Sequence, residues 1–144
     1  MLIETKIQEI SEHMKLWGEN LEQPAKSEQI ISFCKSVFDK FNIVLPSDYL
    51  TFLTLTNGLE FNGVIIYGTE NSRDPNASPL DLIAVNLATN TLSNAIILGE
   101  TSTELITFDS LLLQYQLRDR IGLDRIDPYS DFEQVFYHVI DRVL

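Results

Sequence analysis

The sequence predicts an α+β fold, with a mainly antiparallel sheet packed against helices. Three observations lead there. Up to Gly58 the apolar residues recur at helical steps of three and four. From Leu59 they shift to short runs and alternation, the spacing of strands. After Asp127-Pro128-Tyr129, which reads as a turn, helical spacing returns to the end of the chain. Helices followed by a run of strands and a closing helix belong to this class rather than to an alternating α/β one.

Each element has its own reason. Ile3, Ile7, Ile10, Met14, Trp17 and Leu21 form one stripe, with Glu4, Glu12, Lys15 and Glu19 on the other side. This amphipathic stretch, residues 1–22, is expected to pack on the domain or on a second copy, with Trp17 as an anchor in the seam. Gln23-Pro24-Ala25 ends it, and Ser27 opens a second helix. There Ile30, Ile31, Cys34, Val37, Phe38 and Phe41 read as the buried face. Pro46 pushes Leu45 out of the helical region. Ser47 is placed to cap a third helix, with Asp48 at its positive end. Tyr49, Leu50, Phe52 and Leu53 share one face of it, and Gly58 suits its left-handed close.

Leu59-Glu60-Phe61 and Val64-Ile65-Ile66-Tyr67 flank Asn62-Gly63, the strongest two-residue hairpin signal. Residues 70–79 read as an exposed polar loop. Ser78-Pro79-Leu80-Asp81 resembles a helix start, predicting a short helix to about Leu87, with a strand as the alternative. Ala95-Ile96-Ile97-Leu98 and Leu105-Ile106-Thr107-Phe108 are strands. Leu113, Tyr115 and Leu117 alternate with Gln114, Gln116 and Arg118 in a half-buried one. Ser130-Asp131-Phe132-Glu133 is a capping box ahead of the stripe Phe132, Val135, Phe136, Val139, Ile140 and Val143.

At 144 residues the chain suits a single domain, 1–144, large enough for its own core. Its net charge of −11 is unevenly spread: between Asn42 and Ser110 eight acids face one base, Arg73. Such a balance repels nucleic acid and anionic membranes, and it favours a basic partner or simply solubility. The lone Cys34 allows no internal disulfide, which fits a reducing compartment. With an acidic amphipathic start and no apolar run of membrane length, the expected location is the cytoplasm.

Sites of chemistry are sparse. His13 and His138 belong to no metal-ligand pattern, and there is no P-loop, dinucleotide fingerprint or nucleophile elbow. Cys34 falls within an apolar stripe and reads as an inert thiol. Glu100, Glu104 and Asp109 lie on or beside one hairpin, and Asp119, Asp124 and Asp127 follow among Arg118, Arg120 and Arg125. These acids lack a defined ligand spacing, and the second group reads as surface ion pairs. No catalytic residue, metal or cofactor is expected.

One ordered set of residues goes further. Leu45-Pro46, Tyr49, Phe52-Leu53 and Asn57-Gly58, then Ile97-Leu98-Gly99-Glu100 and Leu105 to Asp109, resemble the signature of the SUKH superfamily. Arg118-Asp119-Arg120-Ile121-Gly122 is similar to its YrhA-like branch. The resemblance implies a strongly bent sheet and, for many members, an immunity protein that binds and silences a bacterial toxin. It leaves open a regulatory or scaffolding protein with a non-toxin partner, and the acidic hairpin of Glu100, Glu104 and Asp109 leaves a carboxylate-dependent hydrolase as the third alternative. From the charge alone, Glu60, Glu70, Asp74, Asp81, Glu100 and Glu104 are the candidate contacts to a basic partner. The chain itself is expected as a monomer or weak dimer.

Overall fold

A computed structural model describes residues 2–69, 80–122 and 126–144. Among them are five helices and six strands: α1 (Leu2–Leu16), α2 (Ser27–Phe41), α3 (Ser47–Leu53), β1 (Leu59–Phe61), β2 (Val64–Ile66), α4 (Leu82–Thr89), β3 (Ala95–Glu100), β4 (Glu104–Asp109), β5 (Gln114–Asp119), β6 (Ile126–Tyr129) and α5 (Phe132–Asp141). The strands form one open antiparallel sheet in chain order, β1-β2-β3-β4-β5-β6. This is the predicted α+β class.

Side chains alternate across the sheet, so the register sorts them. Phe61, Ile66, Ile106, Phe108, Tyr115 and Leu117 face the helices and are buried. Against them stand Tyr49 and Phe52 of α3 and Phe132 and Phe136 of α5, all fully buried. Tyr49 meets Phe132 edge-on, Phe52 lies tilted at 5.1 Å from Phe132 and 5.3 Å from Phe136 between centroids, and Phe132 stacks on Phe136. Ile3, Ile7, Ile10 and Met14 bring α1 onto the same core.

The hairpin at Asn62-Gly63 is present, with φ of 47° and 85° at the two turn residues. The α5 stripe is buried as read, with Val143 partly so. Other expectations are corrected. Helix α1 stops at Leu16, and Trp17 is 81% exposed instead of filling the seam. On α2, Phe33 and Val37 point inward, whereas Ile31 is 71% exposed and Phe38 half exposed. Pro46, not Ser47, takes the cap position of α3, and no side chain caps it. That helix closes at Thr54 in right-handed geometry, and Gly58 (φ +88°) serves the entry to β1 instead.

Helix α4 is a helix, but its cap is Asp81, whose carboxylate accepts from the Ala84 N–H at 3.1 Å. Ser78 and Pro79 lie outside the described residues. Leu113 is an exposed turn residue at φ 53°, beside Leu111 and Leu112, and Gln116 is buried. Asp127-Pro128-Tyr129 is part of strand β6, not a turn. A proline is tolerated there because β6 is an edge. Asp131 rather than Ser130 caps α5, accepting from the Gln134 N–H at 2.8 Å.

Candidate partner-binding surface

The resemblance-bearing residues come together on one short segment, residues 65–69. The Tyr49 hydroxyl donates to the Tyr67 carbonyl at 2.6 Å. The Asn57 carboxamide accepts from the Thr69 N–H at 2.9 Å and donates to the Thr69 hydroxyl at 2.7 Å. Gly99 lies so close under the Ile65 carbonyl that a Cβ there would collide with it. Leu45, Phe52 and Leu53 are core. All of these are roles in holding the fold.

The six candidate acids do not form one cluster. Glu70 and Asp74 lie outside the described residues. Asp81 is the cap of α4. Glu100 accepts from the Tyr67 hydroxyl and pairs with Arg120 at 2.7 Å. Burial and that hydrogen bond together push the Tyr67 hydroxyl well above the usual tyrosine range. Glu104 pairs with Arg142 at 2.7 Å and accepts from the Thr101 hydroxyl. Register puts Glu60 and Glu100 on the sheet face away from α5, two strands apart, and Glu104 on the opposite face. Two strand spacings are about 10 Å.

Glu60 is exposed on β1. With Glu19, Glu22, Met14, Asn20, Leu59 and Leu80 it lines a cleft of about 110 Å³ between the end of α1 and the sheet edge. Neither Glu19 nor Glu60 has an ion-pair partner among the described residues. From Ile7 to Ala25 the acids are Glu9, Glu12, Glu19 and Glu22, and Lys15 is the one lysine or arginine.

What leaves Trp17, two residues before Glu19 of this cleft, at the surface is the way α1 ends. Gly18 takes φ +74°; its N–H donates to Lys15 at 3.2 Å, and the next N–H, of Glu19, reaches back to Met14 at 2.9 Å. This is a Schellman stop, which a glycine at that position permits cheaply. The stop turns the chain before Trp17 can reach the seam. Leu16 and Trp17 are left 79% and 81% exposed. The segment after them is pinned to the domain through Gln23 to the Asn57 N–H (3.0 Å) and the Ala25 N–H to Leu53 (2.9 Å). Reading the stripe alone missed this, although Gly18 was the available signal.

A second cleft, of about 350 Å³, is lined by Thr103, Glu104, Leu117, Arg118, Asp119, Asp127 and Arg142. Its charges are mixed. Among the described residues, no three His, Cys, Asp or Glu side chains stand together in a way that could hold a metal ion. His13 and His138 are exposed, their rings near Phe61 and Tyr129. Burial raises the Cys34 thiol above its ordinary pKa, away from the reactive thiolate. No described helix is long and apolar enough to cross a membrane. No family model matches the chain, and no curated protein matches it significantly.

Proposed function

We propose that this chain is a non-catalytic protein-binding module, an immunity protein of the SUKH type that silences a toxin by covering its basic cleft. The observation that carries the reading is the gathering of Glu19, Glu22 and Glu60 round one surface cleft, in a chain of net charge −11. A toxin that cuts nucleic acid needs a basic cleft to hold phosphates, and an acidic surface complements it. The two glutamates of the β3–β4 hairpin favour the same reading, because they are engaged within the fold. Glu100 is held by Tyr67 and Arg120, and Glu104 by Arg142.

The test is co-expression with the product of the adjacent reading frame in a host which that product kills. Protection, together with a complex that survives gel filtration, is the expected outcome. Killing that proceeds unchanged, with no complex formed, excludes the immunity role for that pair.

A further inference from the structure

Complementary charge speeds capture but supplies little of the affinity of a protein complex, which rests on a few well-packed anchors, often tryptophan. The deep aromatics cannot serve, since Tyr49, Phe52, Phe132 and Phe136 are fully buried. Trp17 can: it is the sole tryptophan, it is exposed, and it stands on a pinned turn two residues from Glu19. An indole face attracts guanidinium through its quadrupole. A carboxylate alongside can take the same group in a two-pronged hydrogen bond that ammonium cannot make.

From this arrangement we infer that the Leu16–Trp17 turn, with Glu19 and Glu60, is the docking epitope, and that it takes an arginine-bearing face of a basic protein. The inference rests on the basic-partner reading above and names the residues and the cation for it. Arginine would stack on Trp17 while its fork meets Glu19, and Glu60 would hold a second basic group across the cleft. A second copy of this chain is a poor occupant, because it brings the same charge of −11 to the same corner.

The probes are two synthetic decapeptides of equal charge, five Arg-Gly repeats and five Lys-Gly repeats. Because Trp17 is the only indole, its emission reports this turn alone. The arginine peptide is expected to change that emission and to bind at least fivefold tighter than the lysine peptide. Trp17→Ala, followed by calorimetry, should erase the preference with an unchanged thermal midpoint. Glu19→Gln with Glu60→Gln should weaken both peptides. Equal binding of the two peptides, with Trp17 emission unmoved, would overturn the epitope and leave the basic-partner reading standing. Binding of neither peptide would overturn both. Emission that shifts with protein concentration in the absence of peptide would put a second copy on Trp17 and also overturn the assignment.

Discussion

At Asp48 a single carboxylate ties three elements together. It sits in the first turn of α3, accepts from the Phe132 N–H at the start of α5 at 2.7 Å, and accepts from the Tyr115 hydroxyl of β5. Burial first, and then this hydrogen bond, push the Tyr115 hydroxyl far above the usual tyrosine range. In the unfolded chain it titrates near its ordinary value of about 10. A group whose pKa is raised by folding stabilises fully below the unfolded value, and that contribution is lost as pH climbs above it. The gap in urea midpoint between wild type and Tyr115→Phe should therefore be widest at pH 8 and shrink by pH 11. A gap independent of pH would show that the hydroxyl is not linked to folding. Phe52 and Phe136 meet in the same layer, and truncating either to alanine should cost about 3–5 kcal/mol, read from denaturation midpoints.

Among the elements, α4 does work that its propensity does not announce. The β2 pairing covers β3 only at Gly99 and Glu100, leaving the earlier part of that edge open. Asn86, 2% exposed, closes it with its side chain: the carboxamide accepts from the Ile97 N–H at 2.8 Å and donates to the Ile97 carbonyl at 2.9 Å. Asn90 does the same for the Ala95 carbonyl at 2.9 Å. A side-chain amide thus stands in for one residue of a strand. Asn86→Ala would leave two buried backbone groups unpaired, each costing about 1–3 kcal/mol. The urea midpoint should drop accordingly, and exchange of the Ile97 amide should accelerate most.

The helix was legible from sequence, but Asn86 was not, because a lone asparagine gives no sign of which edge it will meet. Likewise the Asn62-Gly63 hairpin and the Phe132-to-Ile140 stripe carry local signals strong enough to survive folding. The inward turn of Phe33 in place of Ile31 depends on how α2 rolls against its neighbours, which periodicity cannot fix. Pro128 misled because a proline signals a turn locally but is equally at home on an edge strand. Of the candidate acids, Glu60 is exposed on the edge strand β1. Glu100 and Glu104 have ion-pair partners that only the sheet register brings within reach.

Over the whole molecule the acids outnumber the bases by 21 to 10, and their field extends beyond contact by about a Debye length, some 8–10 Å in physiological salt. Association with a basic protein captured in the co-expression test should slow as salt is added, while dissociation changes less. Glu19→Gln with Glu60→Gln should lower the stopped-flow association rate at low salt, with a nearly constant thermal midpoint, because exposed charges contribute little to stability. An association rate unaffected by salt would assign the acidity to solubility.

The order of the strands also sets the route by which the chain reaches its native state. Strands β3 to β6 follow one another through short connections, so each pairing closes a small loop at little entropic cost. The helical cover is the opposite case. The Asp48–Phe132 bond spans 84 positions and the Lys6–Asp141 bond 135. Contacts so far apart in sequence are the slow ones to find, which puts the kinetic barrier at the docking of α5 onto α3. Phe136→Ala should therefore depress the refolding arm of the chevron, and so should Gly63→Ala, because the two-residue hairpin it closes forms before the helices dock.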